Sequence, residues 1–522
     1  MIRTALHFIR MARAAWVLAR EGVFSQLDPS LVPPGLAVPL ALARLISHSH
    51  QHSAASRLPI AIDRLGPSYV KLGQFLATRP DLIGMEAARA LEVLQDRMSP
   101  FPKAEAIRTI EAAFGQKLDQ IFEEFSEPIA AASIAQVHTA KIRDGHDSKY
   151  VAVKILRPGV ERRFNRDLAD MLFAAQLAER HFVEARRLRL IEVVETLSRS
   201  VKMEMDFRLE AAAASEFYDN TLDDPHFRVP KIDWDRTAKS VLTLEWVDGT
   251  PLSDLSALNE RGIDLPALGS LVIQSFLRHA VRDGFFHADM HQGNLFLDTE
   301  GNLVAVDFGI TGRLGMKERK FLAKILYGFI TRDYYLVASV HFEAGYVPPH
   351  HNIDDFAQAI RAIGEPIHSR TADQISMAKL LTLLFEITSL FDMKTRTELI
   401  LLQKTMVVVE GVARSLNPQL DMWSTAEPVV RSWIEKNLGP IGKLQEAGQT
   451  ISALGLMFMD LPDLVHRGQK AMAQLEARLN IDEDARGAAA SSSFNRPNHG
   501  LFSIQFPLWI IAALLAIVLM MR

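Results

Sequence analysis

The strand-forming segments of this 522-residue chain are few, short and gathered in two places, and this distribution constrains its fold most. Ser133 to Ile142 and Tyr150 to Ile155 are β-branched runs separated by the turn-like stretch Asp144 to Lys149, so they predict a small antiparallel sheet. Helical patterns cover Gly159 to Tyr218 and dominate again from Lys317 to Ala477. Strands clustered in this way, rather than alternating with helices, indicate an α+β fold.

A second group of strand signals lies within the later, mostly helical part. Ser240 to Val247 is one such run, and the pair Leu295 to Leu297 and Leu303 to Val306 is joined by the turn Asp298 to Asn302. The chain therefore reads as a small sheet with helices, followed by a larger helical part that carries short hairpins.

Charge and cysteine content exclude several classes of function. The formal net charge of -4 supplies no global basic field, so no nucleic-acid partner is expected. The chain has no cysteine, which excludes disulfides, thiolate metal sites and cysteine nucleophiles.

Residues 504–521 predict a transmembrane helix. Only Gln505 is strongly polar in this run, which would span roughly 27 Å as a helix, and Trp509 is suited to the membrane interface. The preceding stretch Gly487 to Gly500 is rich in Ala, Ser and Asn, as a flexible linker would be. A buried core helix is the alternative interpretation.

The first twenty residues predict an amphipathic helix with one basic face. Its arginines fall in one sector about 100° wide and its apolar residues lie opposite: Arg3, Arg10, Arg13 and Arg20 against Phe8, Met11, Ala15 and Leu18. Such a helix suits an anionic membrane surface, an ordinary packed position or an organelle transit segment.

Two motifs in order carry the clearest chemistry. The first, His287-Ala-Asp289-Met-His-Gln-Gly-Asn294, precedes a strand that ends in Asp307-Phe308-Gly309. This spacing is typical of phosphoryl transfer, in which one carboxylate orients the attacking group while an amide and a second carboxylate hold Mg²⁺. Asp289, Asn294 and Asp307 suit these three roles, and the predicted hairpin between the motifs brings them together.

Upstream segments complete the order found in protein-kinase-like folds. Lys154 ends an apolar strand, where it would neutralise nucleotide phosphates. Glu245-Trp-Val247 ends another strand at the predicted hinge, so its backbone is expected to meet adenine. Where a Gly-rich loop would cover the phosphates, the chain instead has alanines, which offer less backbone freedom: Ala130, Ala131, Ala132, Ser133 and Ile134.

An N-terminal motif, Lys71-Leu-Gly73-Gln74, lies on a predicted helix. Lys71, Gln74 and Thr78 share one face by their i, i+3, i+7 spacing. Gly73 inside a helix costs about 1 kcal/mol relative to alanine, which indicates close packing or a functional approach.

With these motifs, the chain from about 59 to 313 resembles the UbiB family of atypical kinases, also called ADCK. The resemblance implies a two-lobed protein-kinase-like α+β fold with a helical N-terminal extension and a C-terminal transmembrane helix. The expected parts are an extension at 1–120, an N-lobe with inserted helices at 121–249, a helical C-lobe at 250–480, a linker at 481–503 and a membrane helix at 504–521. ATP and Mg²⁺ are the expected cofactors.

The resemblance also implies regulatory residues. The family's glutamate-x-aspartate motif is matched by Glu204-Met-Asp206, followed by Glu210. Glu210 is expected to pair with Lys154, and Glu204 to face Lys71, while Asp206 and Glu210 would share a face if one helix carries them all. A surface pair between Glu204 and Arg208 is the alternative.

Function follows from the same resemblance. Members of the family support ubiquinone biosynthesis at a membrane, and their N-terminal motif packs over the active site. The implied activity is ATP hydrolysis or phosphorylation of a small molecule or protein; a nucleotide-gated scaffold is the alternative. Expected partners are membrane lipids, quinone precursors and other ubiquinone biosynthesis enzymes, and a bacterial protein would be a single-pass inner-membrane protein with a cytoplasmic catalytic domain.

Met290 and Gln292 replace prolines usual in the family's catalytic loop, which questions the rigidity of that loop.

Overall fold

The computed structural model describes residues 2–26, 41, 45–47, 54–77, 83, 85–91, 94, 99–367 apart from 146 and 182, 387, 390–393 and 397–439. The predicted linker at 481–503, the predicted membrane helix at 504–521 and Thr78 lie outside these residues. A search of the described helices finds none that is long and apolar enough to cross a membrane.

A four-stranded antiparallel sheet, in the order β1-β2-β3-β5, forms the N-lobe. Its strands are β1 (Glu124–Ala131), β2 (Ala135–Asp144), β3 (Asp147–Leu156) and β5 (Val241–Glu245). Successive side chains of a strand point to opposite faces. Val153 and Ile155 therefore pack in one buried cluster against the helix Lys103–Phe114, while Lys154 projects from the other face.

Two small sheets organise the C-lobe around the predicted motifs. One has the order β4-β9-β8-β6, and the other pairs β7 with β10. Their strands are β4 (Phe227–Arg228), β6 (Gly249–Pro251), β7 (Phe285–His287), β8 (Leu295–Asp298), β9 (Leu303–Ala305) and β10 (Thr311–Arg313). The β8–β9 hairpin confirms the predicted hairpin and its turn.

The helices supply most of the buried surface. Before and within the N-lobe they are α1 (Ile2–Arg20), α2 (Ala54–Leu65), α3 (Pro67–Ala77), α4 (Met85–Leu91), α5 (Lys103–Phe114), α6 (Leu118–Ile121), α7 (Val160–His181), α8 (Val183–Leu188), α9 (Leu190–Glu204) and α10 (Phe207–Thr221). The C-lobe contains α11 (Leu255–Glu260), α12 (Leu265–Arg278), α13 (Met316–Thr331), α14 (Tyr334–Glu343), α15 (Ile353–Ile367), α16 (Thr397–Leu416) and α17 (Met422–Leu438).

Three details differ from the sequence-based expectation. Strand β1 runs to Ala131, so part of the predicted alanine-rich loop is extended and paired with β2. Strands β2 and β3 almost meet, which shortens the predicted turn between them. The stretch from Glu204 to Glu210 is not one helix, because α9 ends at Glu204 and α10 begins at Phe207.

The N-terminal helix α1 packs on α7, which agrees with the packed interpretation of its basic face. Met11 is buried against Ala174. Arg10 keeps 32% of its side chain exposed and forms an ion pair with the buried carboxylate of Asp170 at 2.6 Å. The pKa of Arg10 is raised, first by its hydrogen bond to Asp170.

Candidate active site

Lys154, Glu210 and Asp307 meet where the two lobes face each other. The Lys154 Nζ donates to both oxygens of Glu210, at 2.8 and 3.1 Å, and to Oδ1 of Asp307 at 3.1 Å. Lys154 and Glu210 keep only 15% and 9% of their side-chain surface exposed, whereas Asp307 keeps 47%. The predicted Lys154–Glu210 pair is therefore present, and the metal-ligand candidate Asp307 shares the same ammonium.

Glu210 and Asp307 share the Lys154 ammonium, and their pKa values are shifted in opposite directions. Burial raises the pKa of Glu210 to about 7, because Lys154 only partly offsets the loss of water. At Asp307 burial acts in the same direction, but Lys154 outweighs it and holds the pKa of Asp307 below its usual range. The pKa of Lys154 is raised, since the two carboxylates outweigh its burial. A negative charge thus remains on Asp307, the more exposed carboxylate, where a cation would reach it.

His287 ties the catalytic loop to the strand that carries Asp307. Its Nε2 lies 3.0 Å from the carbonyl of Val306, and its Nδ1 lies 3.1 Å from the backbone N–H of Asp289. A carbonyl only accepts and an amide N–H only donates, so the imidazole is neutral with its proton on Nε2. Burial lowers the pKa of His287, which favours this neutral form. One side chain thereby sets Asp289 relative to the end of β9.

Asn294 closes the same loop. Its side-chain Nδ2 donates to the backbone carbonyl of Asp289 at 3.0 Å, and its backbone carbonyl accepts from the N–H of Val306 at 2.9 Å. A side-chain amide held by its NH₂ group retains a carbonyl oxygen, which is a ligand type that Mg²⁺ uses. Asn294 and Asp307 thus supply the amide and carboxylate oxygens that the prediction requires.

Asp307 has a left-handed backbone, with φ at 63°. This conformation is costly for most residues and least so for Asn and Asp. The next side chain, Phe308, is buried with its ring 5.0 Å from both Phe217 of α10 and His287. This aromatic packing holds the turn that presents the Asp307 carboxylate to Lys154.

The catalytic loop is supported from α16 despite its missing prolines. The buried hydroxyl of Thr405 lies 3.0 Å from the carbonyl of Ala288 and 2.8 Å from that of Leu401 in its own helix, so the two carbonyls share its proton. Gln292 donates to the hydroxyl of Ser415 at 2.5 Å, and Met290 is fully buried. The side chains that replace the prolines therefore anchor the loop by hydrogen bonding and packing.

The alanine-rich segment forms the β1–β2 hairpin. Ala130 and Ala131 lie in β1, and Ala132, Ser133 and Ile134 form the turn, closed by the N–H of Ala132 on the carbonyl of Ala135 at 2.7 Å. Arg157 donates to the carbonyl of Ala132 at 3.1 Å. The hydroxyl of Ser133 is completely buried and has no hydrogen-bond partner within the described residues. A buried hydroxyl without a partner is uncommon and is one polar group that this turn could offer a ligand.

Helix α3 places Lys71 and Gln74 beside the N-lobe. Lys71 Nζ lies 2.9 Å from Glu204, with both side chains largely buried, and Gln74 donates to the carbonyl of Leu94 at 3.3 Å. A Cβ on Gly73 would lie 2.4 Å from Leu94 Cδ1, which accounts for glycine in this helix by close packing. The predicted contact of Lys71 with Glu204 is present.

Asp206 differs from its sequence-based interpretation. Its carboxylate caps α10 by accepting from the N–H of Arg208 at 3.2 Å, and it pairs with the Arg208 side chain at 2.6 Å. The alternative Glu204–Arg208 pair is wrong, because Arg208 bonds Asp206 and Glu204 faces Lys71. The helix break at Asp206 lets two acidic residues six positions apart serve different lysines.

The predicted hinge lies where β5 leaves the sheet. Glu245 pairs with Arg228 at 3.0 Å, and its N–H donates to the carbonyl of Lys231 at 2.9 Å. Val247 follows in the connection to β6. The contact of Glu245 and Val247 with adenine stays a prediction.

Sequence reasoning missed several supporting residues. The side chain of Gln136 is completely buried on β2. It accepts from the backbone N–H of Phe101 at 2.9 Å and donates to the backbone carbonyl of Phe101 at 3.2 Å, which ties the chain before α5 to the sheet. Arg313 pairs with Glu216 at 2.5 Å and so links β10 to α10. Gln136 lies two residues after the alanine-rich segment, but no sequence signal pointed to Thr405 or to the Arg313–Glu216 pair.

Comparison with known proteins identifies similar chains and domains. The profile described as ABC1 atypical kinase-like domain matches residues 93–341, and that described as UbiB helical domain matches 360–421. A protein named probable protein kinase UbiB from Marinobacter nauticus is 39% identical over 88% of this chain and 84% of its own length. One of the same name from Azotobacter vinelandii is 40% identical over 74% of this chain and 72% of its own length.

Among solved structures, one titled the complex structure of Rv3197-erythromycin from Mycobacterium tuberculosis is 22% identical to this chain, with a TM-score of 0.46. The match covers 71% of this chain and 91% of that one. This likeness is too distant to bear on the site.

Proposed function

Because the chain belongs to the ABC1 and UbiB family of kinase-like proteins, we propose that it is an ATP-using atypical kinase or ATPase of ubiquinone biosynthesis. Its site would bind ATP with Mg²⁺ and would transfer or release the terminal phosphoryl group. The relatives named probable protein kinase UbiB support this proposal by their name and similarity.

The observation that carries the proposal is the convergence of Lys154, Glu210 and Asp307. A lysine oriented by a buried glutamate is the usual partner of nucleotide phosphates in kinase-like sites, and an aspartate beside it is the usual metal ligand. The three residues are far apart in the sequence, yet carboxylate oxygens of both Glu210 and Asp307 lie within 3.1 Å of the Lys154 ammonium nitrogen. A solely structural ion pair would not account for the exposed second carboxylate.

Each residue of the site has a proposed role. Lys154 would neutralise phosphate oxygens, and Asn294 and Asp307 would hold Mg²⁺, which supplies charge neutralisation when bound. Asp289 would orient the attacking hydroxyl or water. The backbone of the alanine-rich turn would cover the phosphates, and Glu245 and Val247 would border the adenine.

The acceptor of the phosphoryl group would be water or a small molecule rather than a peptide. The largely buried pair of Lys71 and Glu204 supports this choice, because it fixes α3 to the inserted helices at the N-lobe. We propose that Lys71 acts as a gate over the site, whereas Lys154 contacts phosphate directly.

The proposed setting is the inner membrane of a bacterium, with the catalytic domain in the cytoplasm. Support comes from the apolar run at 504–521, which has the length of a single membrane-spanning helix. Membrane lipids, quinone precursors and other ubiquinone biosynthesis enzymes are the proposed partners at that surface.

Complementation of a strain that lacks its own gene of this family tests the proposal. Wild type should restore ubiquinone, Asp307→Asn should not, and the exposed Asp235→Asn should behave as wild type. Calorimetry should show parallel loss of Mg-ATP binding in Asp307→Asn only. Full restoration of ubiquinone by Asp307→Asn would instead favour the scaffold role.

A further inference from the structure

Two adjacent histidines and an aspartate converge at a surface remote in sequence from the catalytic motifs. His350 and His351 lie in the loop between α14 and α15, and Asp392 lies in the short described segment 390–393. Oδ2 of Asp392 is 3.2 Å from Nε2 of His351 and 3.6 Å from Nε2 of His350. The two imidazole rings are centred 4.2 Å apart, and one ligand atom from each residue lies within 4.8 Å of the other two.

We propose that His350, His351 and Asp392 bind a divalent transition-metal ion, with Zn²⁺ as the best fit. Two imidazoles and a carboxylate are ligands of this class, whereas Mg²⁺ prefers oxygen ligands alone. Ligands about 2.1 Å from a tetrahedral ion lie about 3.4 Å from each other. This separation falls between the two nitrogen–oxygen distances of 3.2 and 3.6 Å. Three protein ligands leave a fourth position for water.

An ordinary hydrogen-bonded histidine–aspartate pair would account for only part of this arrangement. The His351–Asp392 distance of 3.2 Å suits a single hydrogen bond. It does not explain a second imidazole whose Nε2 approaches the same carboxylate oxygen. A cation between the three groups accounts for both approaches.

The surroundings hold the three groups without the metal. The His351 ring packs 5.3 Å from Phe391, which contacts Phe356 of α15 at 5.0 Å within a buried apolar cluster. Asp392 has a left-handed backbone, with φ at 47°, a conformation that aspartate tolerates better than most residues. His350 and Asp392 remain mostly exposed, so an ion can reach them from solvent.

The proposed metal would join the connection between the two matched parts of the chain to the second of them. His350 and His351 lie between the kinase-like match, which ends at 341, and the helical-domain match, which begins at 360 and contains Asp392. Loss of the ion should therefore loosen the attachment of segment 390–393 and leave the Lys154 site unchanged. Of the residues that the structure describes, these three alone form a group of histidines and carboxylates of this kind.

The test is zinc binding to the full chain after treatment with a chelator, in excess Mg²⁺ so that oxygen-ligand sites are occupied. Calorimetry should show one tight site, and Co²⁺ should give the visible absorption of a low-coordinate nitrogen-ligated ion. His350→Ala and Asp392→Asn should each weaken zinc binding about 100-fold, the upper end of the cost of disturbing a ligand's support. Both replace exposed side chains, so folding should be preserved.

A histidine-rich stretch elsewhere supplies the matched control. His48, His50 and His52 lie close together in the sequence, and replacing all three by glutamine should leave the tight site intact. Mg-ATP binding should be unchanged in every variant, which separates this proposal from the proposed function. Zinc affinity that survives His350→Ala and Asp392→Asn, or that vanishes with the glutamine variant, would overturn the proposal, as would the absence of a stoichiometric site.

Discussion

Replacing Lys154 should expose how much of the site's stability depends on one ammonium group. Lys154→Met keeps much of the apolar stem and removes the charge, so Glu210, with 9% of its side chain exposed, would lose its partner. Breaking a buried ion pair by removing one member costs about 3 to 5 kcal/mol, because the remaining carboxylate either stays charged without water or must take up a proton. Asp307 is nearly half exposed and can recover water. We therefore expect a loss near the lower figure, about 3 kcal/mol.

A second substitution separates this charge effect from nucleotide recognition. Glu210→Gln in the Lys154→Met background removes the stranded carboxylate and should restore most of the lost free energy of unfolding. It should not restore nucleotide binding, since Lys154 would contribute about 1.5 to 3 kcal/mol to a phosphate contact, or roughly 10- to 150-fold in affinity. Urea unfolding followed by tryptophan fluorescence measures the first quantity, and calorimetric titration with Mg-ATP measures the second.

Two results would refute this reasoning. A double variant as unstable as Lys154→Met would show that Glu210 is not the source of the cost. A double variant that regains nucleotide affinity would show that Lys154 acts by holding Glu210 rather than by contacting phosphate. The single variant Glu210→Gln completes the cycle and measures the coupling between the two side chains.

Three further predictions concern the same site. The pKa of Glu210 is raised from 4.5 to about 7, so this residue stabilises the fold below pH 4.5 and the effect is lost as pH rises towards 7. The slope is at most about 1.4 kcal/mol per pH unit; urea unfolding should show it flattened in Glu210→Gln, and an unchanged slope would contradict the assignment. Lys71→Ala should preserve Mg-ATP affinity but change ATP turnover, and Glu204→Lys should resemble it; a loss of affinity equal to that of Lys154→Met would exclude a gate. Thr405→Val should lower turnover and cost about 1 kcal/mol in unfolding free energy, whereas Thr331→Val, which loses only a hydrogen bond within its helix, should keep full turnover.

Local chemistry predicted the residues of the candidate site because each motif is short and lies at a strand end. Asn294 bonds both Asp289 and Val306, the residue before Asp307, and the small hairpin between the two motifs already implied this proximity. The orientation of Lys154 follows from the alternation of side chains along β3, which places it on the face of the sheet opposite α5. These inferences depend on contacts within a few residues of each motif, where periodicity is informative.

The remaining features depend on long-range contacts or on a single boundary. Asp206 was assigned to a face of a continuous helix, but its side chain caps a new helix instead, because aspartate competes well for free backbone N–H groups. Thr405 reaches the catalytic loop from a helix far along the sequence, and nothing in its neighbourhood marks that contact. Pairing of β1 with β2 similarly converted an expected loop into a strand, since tertiary pairing overrides the helical preference of alanine.

The packing of α3 limits how any gate can be tested. Tyr69, Leu72 and Phe75 join the buried cluster that contains Ile134 of the alanine-rich turn and Phe207, over whose ring the Lys154 ammonium lies at 5.6 Å. Deleting the extension would therefore expose this cluster and disturb Lys154 together with the proposed gate at Lys71. Lys71→Ala removes the charge and leaves the apolar face of α3 in place. Changes in turnover after deletion cannot be attributed to gating alone, whereas changes after Lys71→Ala can, provided that the unfolding free energy is unchanged.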